Sequence, residues 1–279
     1  MITLSTLIIG IGIFAVIMTL IMGLALRKVE SWPVSFLQNF TGSLFVFSGW
    51  VKAIDPLGTA YKMEQYFAEF ESTFTDTSMS FLAPLFPWLS EYVVSFSVIM
   101  IVFEIALGVM LLLGVTKKFT AWAFFLLVAF FTFLTGFTYL TGYVPADVNF
   151  FEFSKWGAYE ATNMKVTDCG CFGDFLKLEP KVSFMKDLVL LVPALVFLLM
   201  NGKMHQLFSA SVRNMATIAT VAGISLYCFS NYVWDLPHAD FRPFKEGVNI
   251  AERKALEEEA DAKVEVIAYR ITNKETGEV

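Results

Sequence analysis

Charge is scarce in this sequence. Asp, Glu, Lys and Arg make up 16% of 279 residues, against about 25% in a soluble domain. The net charge is −6 and no basic cluster occurs, which excludes nucleic acid as an expected partner. Histidine is limited to His205 and His238, and cysteine to three positions. Three cysteines are too few for a disulfide-stapled secreted scaffold, and two histidines leave too few soft ligands for a closed zinc site. Met1 to Thr6 holds no positive charge and no small-x-small cleavage site follows, so the N-terminus does not read as a signal peptide. Tandem repeats and low-complexity segments are also missing.

Apolar residues fill the space that charge leaves: 56% of the chain is hydrophobic, including 30 Phe. A bilayer-spanning helix needs about 20 mostly apolar residues. Six stretches qualify: Leu4–Leu26, Val34–Val51, Tyr92–Gly114, Phe119–Tyr143, Ser183–Met200 and Met215–Trp234. The second is the weakest, being short and interrupted by Gln38 and Asn39. Pro193 should kink the fifth. The fold class expected is an all-α membrane protein of six transmembrane helices.

The connecting segments fall into two sets. Residues 27–33, 115–118 and 201–213 are short and hold Arg27, Lys28, Lys117, Lys118, Lys203 and Arg213 against one acid, Glu30. Residues 52–91 and 144–182 are long and acidic. Concentrated positive charge marks the first set as cytoplasmic, which places both termini and the long loops outside. Within 52–91, the spacing of Tyr66, Phe67 and Phe70 opposite Glu64, Glu69 and Glu71 predicts an amphipathic surface helix over 61–74. The stretch 81–88, with Pro84 and Pro87, reads as an extended aromatic re-entry. The aromatic residues of 144–182 predict a loop folded over the bundle. After Leu236-Pro237 comes a charged helical run, Asn249–Lys263, then a strand at Val264–Tyr269 and a turn at 273–277, the expected start of a small α/β domain.

Asp168-Cys169-Gly170-Cys171-Phe172-Gly173-Asp174 lies in the second long loop. Two thiols one residue apart can close a small strained ring, and strained disulfides are the labile ones. Gly170 and Gly173 relax the backbone. Flanking Asp168 and Asp174 would disfavour a thiolate if close. Three readings stay open: thiol–disulfide exchange through Cys169 and Cys171, a static disulfide that pins the loop, or half of a metal site. Cys228, about 9 Å below the outer end of the last span, is a candidate relay thiol or a small buried hydrophobe. Glu104 sits in the middle of the third span, where an ionisable group is costly. It is a candidate proton acceptor, a partner for a polar group such as Asn39 or Lys52, or equally a protonated helix–helix hydrogen bond. Lys52 and Asp55 read more simply as interface markers, with Lys52 snorkelling to the surface. Gly42, Gly49, Gly108 and Gly114 read as close-packing positions. Transport finds no support, because Glu104 reads as a single deep charge and no discontinuous helix pair is evident.

The run from Phe40 to Pro56 (FTGSLFVFSGWVKAIDP) resembles the first helix of the DoxX-like family, and Glu104–Gly114 (EIALGVMLLLG) resembles its second. Asp168–Gly173 (DCGCFG) resembles the loop of the MauE branch, the methylamine-utilisation maturation proteins. The resemblance implies a four-helix core over residues 34–200, including the loop 144–182. An added helix would precede it within 1–33 and another follow within 201–235. Asp240–Phe244 with Gly247 resembles the entry to a periplasmic extension of Bacteroidetes type, 236–279. It further implies a bacterial inner-membrane protein with periplasmic termini and loop. Its branch is associated with disulfide formation in periplasmic partners, and with quinone in related proteins. The chain lacks the Cys-x-x-Cys pair that membrane oxidases use toward quinone. The expected function is an inner-membrane thiol–disulfide redox protein with a periplasmic thiol partner and a quinone as candidate cofactor. The alternative is a non-catalytic subunit of an envelope complex, docked to other membrane subunits, with a structural disulfide.

Overall fold

The computed structural model describes residues 3–75, 77–166, 170–231, 239–241, 245 and 247–261. The regular elements among those residues are all helices, with no strand among them. The strand and turn expected after residue 263 lie outside them. The chain divides into two units, 1–239 and 240–279.

The first unit is a helical bundle. Helix α1, Leu4–Leu20, is capped by Thr3 and runs on through a π-turn to Ala25. α2 spans Trp32–Ile54, with Pro33 in its first turn, where no amide hydrogen is needed. α3 spans Pro56–Phe74, and Asp55 caps it by accepting from Gly58 N–H. After a 3₁₀ turn at Ser80–Leu82 comes α4, Leu85–Ser90. α5 (Val93–Leu113), α6 (Lys117–Thr141), α7 (Pro180–Leu199) and α8 (Ala210–Asn231) complete the unit.

Helix α2 is the organising element. It packs on α5 and α1, and also touches α7 and α8. The polar residues that weaken its apolar signal are the ones that fasten it. Gln38 Nε2 donates to the Leu111 carbonyl at 3.1 Å, and its Oε1 accepts from His205 N–H at 2.8 Å. Asn39 donates to Thr19 Oγ1 of α1 at 2.9 Å. Both side chains are fully buried, so each bond replaces a lost water contact. The close approach of α2 to α5 depends on Gly42 and Gly108. A Cβ on Gly108 would lie 2.7 Å from the Gly42 carbonyl, tighter than any side chain allows.

Hydrogen bonds fix which ends of the helices meet. At one end, Leu207 N–H donates to Leu113, Lys117 to the Gly202 carbonyl and Gln38 to Leu111. This end collects the basic segments. At the opposite end, Ser97 donates to the Pro56 carbonyl, Asn231 to the Ala53 and Ile54 carbonyls, and Ser48 to the Cys171 carbonyl. The long acidic loops share this second end.

Five helices are long and apolar enough to cross a membrane: Leu4–Ala25, α5, α6, α7 and α8. Their outward faces carry exposed Leu, Ile, Val and Phe, as lipid contact requires. The protein is a multi-pass membrane protein. α2 is as long as these helices but more polar, because its surroundings are protein.

Outside the spans, the surface helix α3 begins at Pro56 and buries Tyr66 and Phe70. The stretch 81–88 corrects the extended reading: it is a 3₁₀ turn followed by α4. Pro84 precedes α4 and Pro87 stands in its first turn, where neither ring blocks a helical bond. The loop 142–179 folds onto the bundle through Phe150, whose ring lies 4.8 Å from Phe137. Lys165 pairs with Glu69 of α3 at 3.3 Å, and Asn149 donates to the Thr73 carbonyl.

The second unit contains α9, Ile250–Asp261, preceded by Asn249, whose Oδ1 accepts from Ala251 N–H. Lys254 and Glu258 pair across one turn at 3.8 Å.

Candidate functional site

The site is built where α2, α5, α6 and α7 converge under the cysteine loop. Lys52 stands near the end of α2 and Glu104 near the middle of α5. Their side chains meet at 2.6 Å, exposed by only 6% and 2%. The snorkelling reading of Lys52 is thereby corrected: its ammonium turns inward, because Glu104 offers a buried carboxylate. The same ammonium lies 5.3 Å from the centre of the Phe131 ring of α6.

Lys186 and Asp187, two turns into α7, form a second ion pair, with the carboxylate buried and the lysine partly so. Thr135 Oγ1 of α6 donates to the other Asp187 oxygen at 3.0 Å. The sequence pattern gives these two residues no role, and Glu104 reads there as a single deep charge. The signal was present: adjacent opposite charges inside the apolar run Ser183–Met200. Side chains one residue apart do not face each other on a helix, so adjacency concealed a pair made by a flexible lysine stem.

Cys171 is close enough to both pairs for all four charges to act on its thiol. It is a free thiol, half-buried, packed against the core cluster that includes Phe45, Phe124 and Phe197. Its carbonyl accepts from Ser48 Oγ of α2 at 2.8 Å. Gly170 and Gly173 take positive φ, +60° and +52°, which lets the chain turn tightly on each side of it. Fully buried Phe172 follows, with Lys186 Nζ 6.0 Å from its ring centre. Burial pushes the Cys171 thiol above its ordinary pKa. Lys186 and Lys52 work against that rise, while Asp187 and Glu104 add to it. Asp174 is drawn off to Lys177 at 3.3 Å. Cys169 and Asp168 lie outside the described residues.

The remaining candidates divide. Glu104 is brought to the site. Cys228 is a fully buried free thiol in another apolar cluster, with Ala53, Val98, Ile101, Val102 and Ile105. Its setting is that of a small hydrophobe. His205 is at the opposite, basic end, where its Nε2 and the Leu112 carbonyl are 3.0 Å apart. Burial pushes its pKa down to about 4. No group of three metal-ligating side chains occurs among the described residues.

Residues 30–146 match the family described as methylamine utilisation protein MauE. The match is to a membrane protein family, and it runs from the start of α2 through α6. It thus contains Lys52, Glu104 and Thr135, and stops before Cys171 and α7. No curated protein and no solved structure matches the chain.

The resemblance implies a quinone, which would need an apolar cleft with a few convergent polar groups. A groove of about 730 Å³ lies between α3, α5 and α6, walled by residues such as Phe67, Phe70, Phe103, Trp122 and Phe130. Its walls suit an apolar chain. Its polar groups are the Tyr66 hydroxyl, engaged with Thr138 at 2.8 Å, and the indole of exposed Trp122. That is not the convergent set of donors that a quinone head requires, so this groove does not fit one.

Proposed function

We propose that the protein is a bacterial inner-membrane thiol–disulfide exchange protein, with Cys169 and Cys171 as its reacting pair. The observation that carries the reading is the setting of Cys171, a free thiol on which Lys52 and Lys186 both act, each lysine paired with an acid. In this reading α2 is a sixth span, central and enclosed. The basic end faces the cytoplasm by the positive-inside rule, and the cysteine loop faces the periplasm, where disulfides persist. The similarity to MauE supports a part in a maturation process of the methylamine-utilisation type.

The exchange is balanced by a client dithiol. A client thiolate attacks Cys169 Sγ in the oxidised Cys169–Cys171 pair. A client–Cys169 bond forms, the Cys169–Cys171 bond breaks, and its electron pair leaves on Cys171 Sγ. The second client thiol, deprotonated, attacks the mixed disulfide and releases Cys169. The client gains a disulfide, and the pair gains two electrons and, from water, two protons. Cys171, half-buried against the core, is the leaving sulfur in this direction and the attacking sulfur in the reverse.

Trapping tests it. Cys171→Ser should accumulate a mixed disulfide between Cys169 and a periplasmic protein, resolved by reductant. Absence of any mixed disulfide from both Cys171→Ser and Cys169→Ser, with intact complexes still purified, would point to a non-catalytic envelope subunit instead.

A further inference from the structure

We propose that Lys186 is the charge partner of the Cys171 thiolate, and that Asp187, anchored by Thr135, holds Lys186 in reserve for it. This inference rests on the exchange reading above and assigns residues that lie beyond the stretch matched to MauE.

Lys186 reaches the site from α7, and its side chain is 13% exposed. It has two neighbours of different kinds. One is Asp187, next to it in sequence. The other is the cysteine loop, where its ammonium lies 6.0 Å from the Phe172 ring centre, one residue from Cys171. Asp187 is 1% exposed and is fixed from a second helix, since Thr135 Oγ1 donates to it at 3.0 Å. The carboxylate is therefore the static member of the pair and the lysine stem the movable one, with four rotatable carbons.

The other charges facing Cys171 do not offer the same freedom. Lys52 from α2 is committed to Glu104 of α5 at 2.6 Å, both nearly without solvent. Lys62 from α3 lies with its stem against Gly170 and donates to Gln65 at 2.9 Å. Asp174 on the loop itself pairs with Lys177. The four charges acting on Cys171 from the helices, Lys52, Glu104, Lys186 and Asp187, sum to zero. A thiolate formed among them would be an uncompensated buried anion, a costly state. When the S–S bond breaks and its electron pair settles on Cys171 Sγ, a swing of Lys186 from Asp187 toward sulfur spreads one positive charge over two anions. Protonation of the thiolate from water then returns Lys186 to Asp187. Lys186 acts here as a positioning residue for charge. Burial raises the cost of the thiolate and Lys186 offsets part of it.

The test uses the full chain in detergent with Cys169→Ser and Cys228→Ser, so that Cys171 is the one cysteine left. The rate of alkylation by iodoacetamide is followed against pH, and its midpoint reports thiolate formation. Asp187→Asn, which frees Lys186, should lower the midpoint. Lys186→Met added to Asp187→Asn removes both charges together. Its midpoint should lie at least about one pH unit above that of Asp187→Asn alone, equivalent to roughly tenfold slower alkylation at low pH. Lys186→Arg should keep the parent midpoint. Equal midpoints for Asp187→Asn and the Lys186→Met/Asp187→Asn variant would overturn the assignment. So would an unshifted midpoint in Asp187→Asn, which needs no lysine substitution to fold. Client trapping is read separately, so loss of trapped client with this shift intact would sink the exchange reading and not the charge pairing.

Discussion

Lys52 Nζ of α2 and Glu104 Oε2 of α5 lie 2.6 Å apart in the interior, with no more than a few per cent of either side chain exposed. Separation of such a pair leaves a bare charge in a medium that solvates it poorly. The pair joins the two helices that pack most closely, at the level where the cysteine loop rests. Lys52→Met should therefore lower stability by about 3–5 kcal/mol, and Glu104→Gln by a similar amount. The double variant should recover much of the loss. Thermal unfolding of the four proteins in one detergent checks the cycle, and additive losses would show that the pair is not coupled.

Gly108→Ala tests the α2–α5 contact from its backbone side. The added methyl would meet the Gly42 carbonyl at 2.7 Å and Val46 at 2.9 Å. The helices must part, at a cost of about 1–3 kcal/mol. Gly223→Ala on α8, where nothing lies within 4 Å of the new methyl, is the matched control and should be neutral or slightly stabilising.

The helices were legible because long apolar runs leave few alternatives. Five of the six stretches return as helices with ends within a few residues, and Met215–Trp234 as Ala210–Asn231. The least convincing stretch proved the central one. Gln38 and Asn39 read as interruptions because a sequence does not show that His205, 167 positions away, will supply the partner. Glu104 is recognisable by depth alone, and depth together with the position of Lys52 at the end of α2 allows the pairing that the fold shows. Lys186 and Asp187 were not recognised, since opposite charges side by side look self-cancelling. Their significance comes from Thr135 and Cys171, which are brought to them only by folding. The prolines of 81–88 suggested an extended chain because their positions within a helical first turn depend on where that turn begins.

Gln38→Leu should cost about 2 kcal/mol or more, since it strands two buried backbone groups, the Leu111 carbonyl and His205 N–H. The loss should appear as faster amide exchange at His205, while the cysteine end keeps its alkylation rate. Equal loosening at both ends would contradict the separate roles given to them.

His205 predicts a pH response at the basic end. Its pKa falls from 6.5 in the unfolded chain to about 4 in the folded one, chiefly through burial. Between those values the unfolded chain takes up a proton that the folded chain refuses. The stabilisation is complete above about pH 6.5 and is lost as pH falls toward 4, about 3 kcal/mol in all. His205→Gln should show a shallower decline of unfolding midpoint across that window. A parallel decline in both proteins would assign the effect elsewhere.

The most direct measurement is the oxidation state of the three cysteines in intact bacteria, read by the mass added on alkylation before and after reduction. The account predicts Cys228 reduced throughout, and Cys169 with Cys171 divided between dithiol and disulfide, shifting toward dithiol when client dithiol is abundant. Three thiols alkylated in full under every condition, or a Cys169–Cys171 bond that never opens, would contradict it.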